Sequence, residues 1–144
     1  MSAQFILDVH ILVRRNTDLL FLKRKNTGYM DGHYGVVGGH IEPDEPAPDA
    51  AVRELEEETG LSVVPGDLRL VHILQKFAVS PRLSFFFDLP LPTGQEPRNR
   101  EPDKCDELLW APLSRPPEPI IPYISVTLRR CAAKELFATY TEPG

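Results

Sequence analysis

Residues Gly38 to Leu61 read G-G-H-I-E-P-D-E-P-A-P-D-A-A-V-R-E-L-E-E-E-T-G-L, and the rest of the chain is organised around them. From Ala47 to Thr59 the run has no Gly, and no Pro beyond its first turn. It is rich in Ala, Leu, Glu and Arg, which predicts a helix stopped by Gly60. At 3.6 residues per turn, Val52, Leu55 and Thr59 share one face, the expected core contact. Glu54 and Glu58 fall on the side of Ala47, Ala50 and Ala51, with Glu57 at its edge. Like charges three and four residues apart each cost a helix a few tenths of a kcal/mol, and Arg53 alone is too little to offset them. Over such small side chains the backbone of another segment can come close. Clustered carboxylate oxygens best suit a hard divalent ion, Mg²⁺ or Mn²⁺.

For an arbitrary E-x-x-E-E, a solvated acidic helix face is the better reading. Here the flanking residues change that. Gly39, Glu45, Arg53, Glu54, Leu55, Glu57, Glu58, Gly60 and Leu61 fill, without mismatch, the nine fixed positions of the Nudix box. Nine constraints over so short a span make a specific motif, and the chain resembles the Nudix superfamily of MutT-like hydrolases.

Composition sets outer limits. The 144 residues suit one domain, 1–144, able to bury a proper core. A net charge of −5 argues against a general polyanion-binding surface, so no stable nucleic-acid partner is expected. A phosphorylated small molecule remains compatible, because bound metal reverses the local sign. Cys105 and Cys131 make no convincing disulfide framework, and reduced thiols in a cytoplasm are the simpler account. No basic region precedes the first apolar run, and no apolar run reaches membrane-spanning length. A cytoplasmic protein without a membrane partner, monomeric or homodimeric, is therefore expected.

Phe5 to Arg14 is apolar and branched, as a buried strand is, and Arg15-Asn16-Thr17-Asp18 has turn chemistry. Leu19 to Lys25 then reads as the antiparallel partner. A glycine-spaced loop, Asn26 to Gly35, leads to Val36-Val37 and the glycine pair. Beyond the box, Leu68 to Val79 and Arg82 to Leu89 are strand-like, with Phe85-Phe86-Phe87 alternating across the second. The Pro-rich segment from Pro90 to Pro102 is long enough to be functional, and it carries Glu101 toward the expected pocket. Leu108-Leu109-Trp110 reads as a short strand. Ile124, Leu128, Cys131, Ala132 and Leu136 form a helical stripe, so a packed helix is expected to close the chain.

The family resemblance implies an α/β (α+β) fold, a mixed β-sheet sandwiched between helices. It also implies hydrolysis of a nucleoside diphosphate linked to another group, such as a nucleoside triphosphate, with Mg²⁺ or Mn²⁺. Water would attack phosphorus while the ion offsets phosphate charge and acidifies bound water. By matched position Glu54, Glu57 and Glu58 are metal ligands, joined by the carbonyl of Gly38. Arg53 orients a box carboxylate, and Glu45 supports the site. Glu57 or Glu54 is the general base, with Glu101 an outside candidate. Family members often place a phosphate-binding cation near the end of the second strand. Arg24 is preferred there over Lys23 and Lys25, because its planar fork suits phosphate oxygens; a strand end reaching solvent is the plainer reading. Gly39, His40 and Glu101 complete the candidate substrate contacts, and His33 flanks them.

Two departures stand out. Val37 replaces the Pro that often precedes the glycine pair, so any bend rests on Gly38 and Gly39. Pro46 replaces a capping Ser or Thr, a loss of ~1 kcal/mol. Lys76 to Ser80 holds neither the Pro nor the Tyr that marks ADP-ribose or dinucleoside polyphosphate subfamilies. A nucleoside triphosphate is thus the default substrate. The alternatives are a nucleotide-sensing domain without activity, against which the intact carboxylates argue, and an isoprenoid-diphosphate isomerase, for which neither cysteine stands in a matching place.

Overall fold

The structure, a computed structural model, describes residues 1–143. Its spine is β1 (Ile6–Arg15), whose central residues, Asp8 to Val13, are all buried. Strand β1 runs antiparallel to β2 (Asp18–Arg24) at Arg14 and Arg15, and antiparallel to β4 (Val37–His40) from Asp8 to Ile11. Along its other edge it lies parallel to β6 (Arg82–Pro90). Further strands are β3 (Tyr34–Gly35), β5 (Arg69–Phe77), β7 (Cys105–Pro112) and β8 (Phe137–Thr141). Together they make a mixed sheet of order β3-β2-β1-β6-β5-β8, with β4 added on β1 and β7 on β2.

Both faces of the sheet are covered, which is why its central strands carry long apolar runs. Val9, Ile11 and Val13 of β1, Leu20 and Leu22 of β2 and Phe87 of β6 pack toward α1 (Ala47–Thr59). Leu12, Phe21, Leu74 and Phe86 pack toward α2 (Pro122–Ala132). The expected alternation of Phe85-Phe86-Phe87 is observed, with Phe86 on the α2 side and its neighbours on the other. This is the expected sheet sandwiched between helices.

Helix α1 begins and ends where its sequence places it. Pro46 sits at the N-cap with extended backbone and no side-chain hydrogen bond, as its lack of a hydroxyl requires. Gly60 closes the helix at φ 75°, and its N–H donates to the Glu56 carbonyl at 3.0 Å. That left-handed turn favours glycine. Leu55 is fully buried, a transfer gain of about 1.5–3 kcal/mol.

Three expectations are corrected. The core face of α1 is Ala50, Ala51, Leu55 and Thr59, whereas Val52 is only half-buried; the small residues allow the sheet to approach closely. Gly38 and Gly39 make no bend, because both lie in β4 and pair with His10 and Val9 of β1. The chain also does not close with a helix. Helix α2 stops at Ala132, Lys134 turns left-handed at φ 59°, and Phe137–Thr141 pairs with β5 as an edge strand. Leu136 is 73% exposed, outside the stripe assigned to it.

Candidate functional site

Arg53 is the hub of the box. Its guanidinium takes Glu45 in a two-point grip, Nε to Oε2 and NH2 to Oε1, both at 2.9 Å. NH1 donates to Glu54 at 2.9 Å, and NH2 also donates to the His40 carbonyl at 2.9 Å. One side chain thereby ties α1, the loop before it and the end of β4. Arg53 holds the Glu45 carboxyl down to about 2, helped by the Glu42 N–H. Glu57 is looser, approaching Arg53 at 3.5 Å from a half-exposed position.

The segment that comes close over the small residues of α1 is β4. A Cβ on Gly39 would overlap the Glu54 carboxylate, and one on Gly38 would meet the Val9 carbonyl at 2.5 Å. The Gly38 N–H donates to Glu58 at 3.3 Å. Burial first, then contact with Glu54 and the charge of Glu101, holds the Glu58 carboxyl well above the usual carboxylate range; the Gly38 N–H pulls against this. Repulsion among these carboxylates is thus physically present.

Glu101 arrives on the long loop between β6 and β7. That loop is fastened to the end of α1, where the Arg98 and Arg100 N–H groups donate to the carbonyls of Thr59 and Glu58 at 2.9 and 3.2 Å. These bonds satisfy helix-end carbonyls that otherwise lack partners. Burial raises the Glu101 carboxyl above its usual range; Lys104 opposes this, and Glu54 and Glu57 reinforce it.

Glu54, Glu57, Glu58, Glu101, Gly38 and Arg24 all line one cavity of about 440 Å³. The structure therefore brings together the metal-ligand candidates and the phosphate candidate. Arg24 does not simply reach solvent: its Nε donates to the Tyr29 carbonyl at 2.8 Å, and the side chain lines the cavity. Glu45 and Arg53 stand behind this wall as its support.

Among the described residues, no three His, Cys, Asp or Glu side chains are gathered closely enough to hold a metal as they stand. The donor chemistry nevertheless fits a hard divalent ion. Four carboxylates stand on a wall that also carries Lys23, Arg24 and Lys104, and the buried Glu58 faces like charges with no cation in contact.

A second cavity of about 560 Å³ lies on the other side of β4, and the two share Arg24, Thr27, Val36 and Gly38. Gly39 and His40 border this one rather than the first. His40 contacts Arg82 at 2.7 Å through its ring. His33 lines neither cavity. Sequence reasoning missed Asp8, His10, Lys76, Arg82, Tyr29 and Tyr123 here. The signal available was Asp8 and His10, two polar residues on a strand otherwise apolar on both faces. Lys76 is buried, with its ammonium 4.0 Å from the Tyr123 ring centre and 5.6 Å from that of Tyr29. Burial pulls that ammonium below its ordinary range, opposed by Glu142.

Known proteins share this architecture. A MutT NUDIX hydrolase from Burkholderia pseudomallei is 25% identical, with a TM-score of 0.79 over 88% of this chain and 98% of its own. The NUDIX domain of Shewanella oneidensis NrtR, cocrystallised with ADP ribose, has the same fold at 17% identity, with a TM-score of 0.71 over 92% of this chain and 90% of that one. An ADP-ribose pyrophosphatase from Methanocaldococcus jannaschii is 38% identical over 50 residues, which is 35% of this chain and 29% of that enzyme. No helix among the described residues is long and apolar enough to cross a membrane. The model of the NUDIX domain matches residues 5–136, the box and every strand before β8, and the chain belongs to the NUDIX family.

Proposed function

We propose that the chain hydrolyses the pyrophosphate of a nucleoside diphosphate linked to another group, a nucleoside triphosphate first, with Mg²⁺ or Mn²⁺. The observation that carries this is one cavity lined by Glu54, Glu57, Glu58 and Glu101 with the cation Arg24 among them. Glu54, Glu57 and Glu58, with the Gly38 carbonyl, would hold the ion. When bound, the ion offsets phosphate charge and makes water more acidic.

The chain's own residues supply the rest. Arg53 fixes Glu54 by a charge-assisted hydrogen bond, so the carboxylate does not reorganise during the reaction. Arg24 holds a phosphate oxygen from across the cavity. Glu57 has the freedom a general base needs, being half-exposed and tethered only at 3.5 Å. Glu101, brought in by the anchored loop, is the alternative base and closes the cavity near the substrate.

ADP-ribose is the second reading, favoured by the partial match to the archaeal ADP-ribose pyrophosphatase. A screen across nucleoside triphosphates, ADP-ribose and other nucleotide sugars, with products identified by mass, separates the two. It also separates hydrolysis from isomerisation, while an absence of turnover favours a sensor. Activity is expected to vanish in excess chelator and return with Mg²⁺ or Mn²⁺. Turnover at full rate in chelator would end the proposal.

A further inference from the structure

Strand β8 and the residues after it lie beyond the part of the chain that the model of the NUDIX domain matches. They nevertheless reach the second cavity, through Glu142. The Glu142 N–H donates to the Phe77 carbonyl at 2.8 Å, which carries the chain past β8 along the end of β5. Its carboxylate accepts the Tyr29 hydroxyl at 2.7 Å and stands 3.9 Å from the Lys76 ammonium. Lys76 is 4% exposed and packed over the Tyr123 ring, so the cation beside this carboxylate is held in place.

Tyr29 belongs to a loop that closes on itself. Asp31 accepts the Thr27 and Gly28 N–H groups at 3.0 and 3.1 Å. Such local bonds give the loop its shape, but where it lies against the sheet is set at its two ends. At its start, the Lys25 N–H and the Asn26 amide reach the carbonyls of Lys104 and Asp103 at 2.9 and 3.3 Å. At its tip, the Tyr29 ring packs against the α2 side of the core, and its hydroxyl ends on Glu142.

Arg24 is tied to that tip. Its Nε donates to the Tyr29 carbonyl at 2.8 Å, and its guanidinium lies 5.6 Å from the centre of the Tyr29 ring. The Nε–H is spent on the loop, and the NH1 and NH2 groups remain for a ligand. A guanidinium on a free side chain loses rotamer entropy when it grips an anion, and one already held at Nε loses less. The position of the Tyr29 carbonyl therefore decides where the fork stands when phosphate arrives.

We propose that Tyr29 and Glu142 are positioning residues for the phosphate cation. The Glu142 carboxylate holds the Tyr29 hydroxyl, the Tyr29 carbonyl holds Arg24, and the segment after β8 thereby sets substrate affinity in the first cavity. Neither residue needs to touch the substrate. The proposal rests on the hydrolase reading, with Arg24 on a phosphate oxygen.

The test is KM and kcat for ribonucleoside triphosphates and ADP-ribose at fixed Mg²⁺ in the parent, Tyr29→Phe and Glu142→Gln, each variant also made in an Arg24→Ala background. Each substitution alone should raise KM by about two- to tenfold, the worth of one ordinary hydrogen bond. The kcat and the Mg²⁺ requirement should stay near those of the parent. In the Arg24→Ala background neither should raise KM further, because the group they act through is gone. A merely structural role would add the same loss in both backgrounds. Tyr29→Phe keeps the Lys76–Glu142 pair, so it decides the matter even if Glu142→Gln fails to fold. An unchanged KM, a loss confined to kcat, or an equal rise in the two backgrounds overturns the proposal. Should no nucleotide be hydrolysed, the hydrolase reading fails by itself, and calorimetric binding of inorganic pyrophosphate with Mg²⁺ decides the relay. A weakening by Tyr29→Phe seen only when Arg24 is present supports it. Unchanged affinity, or no binding by the parent, overturns it.

Discussion

The two cavities flanking β4 are built on opposite plans. The first takes three carboxylates from one helix and sets them opposite Arg24 of β2 and Glu101 of the loop before β7, with Glu54 held by Arg53 and Glu58 by the Gly38 N–H. The second draws on β1, β5, β6, α2 and the loop after β2, and leaves Asp8 Oδ1 and both ring nitrogens of His10 without a hydrogen bond. Residues written close together are placed by one helix, whereas residues drawn from distant strands meet only through the pairing of the sheet. The wall between the two cavities is a glycine pair, where a single Cβ would press into Glu54 on one side or Val9 on the other.

The largest expected effect tests whether the first cavity is a metal site. Glu58→Gln keeps shape and helix propensity, so the fold should survive. It also replaces a carboxyl that burial and its acidic neighbours already push toward the neutral form. The metal-free variant should be as stable as the metal-free parent, or slightly more. With Mg²⁺ the order should reverse, because the parent gains binding free energy that the variant largely lacks, and hydrolysis should fall by orders of magnitude. Melting curves with and without Mg²⁺, beside a rate assay, check all three. Parental turnover together with a parental Mg²⁺ shift would remove Glu58 from the site.

Arg53→Lys comes next, because it asks whether the hub matters as a fork or as a charge. A lysine keeps the charge and cannot grip Glu45 at two points while reaching Glu54. By analogy with residues that orient ligands from behind, a loss of activity of about 10–100-fold is expected, with little change in melting temperature. Near-parental activity would mean that Arg53 only balances charge.

Arg24→Ala acts where the two cavities meet. Losing one charge-assisted hydrogen bond to phosphate costs about 1.5–3 kcal/mol, so KM should rise by roughly ten- to a hundredfold while the Mg²⁺ requirement stays put. An unchanged KM would return Arg24 to its other visible task, holding the Tyr29 carbonyl.

The contrast also explains what could be read in advance. The box was legible because spacing, charge and the stop at Gly60 all lie within one helix and its approach. Strand β1 was legible as a strand, but a role for its Asp8 and His10 was not. Their meeting with Lys76 and Arg82 was not, because it depends on the parallel pairing of β1 with β6 and the antiparallel pairing of β6 with β5. Strand β8 was misread for a related reason. The apolar stripe of α2 continues in the sequence to Leu136, and the residue that breaks it, Lys134, is left-handed without being Gly or Asn.

The smallest effect is expected at the roof of the second cavity, where the Tyr29 hydroxyl donates to Glu142 at 2.7 Å. Tyr29→Phe removes that bond and nothing of the ring, so a loss of about 0.5–1.5 kcal/mol is expected. The Mg²⁺ shift in melting temperature should match the parent's, in contrast to Glu58→Gln. The pH dependence has a definite sign. Burial, then the Glu142 carboxylate, pushes the Tyr29 phenol well above its ordinary value of 10.0. A group raised on folding contributes stability that is fully present below its unfolded pKa and is lost as pH rises through the folded one. The difference between parent and variant should therefore be level through neutral pH and shrink only in strong alkali. A difference that already collapses near neutral pH would show that the phenol is not held neutral at this roof, and that the two cavities are less separate than the geometry makes them.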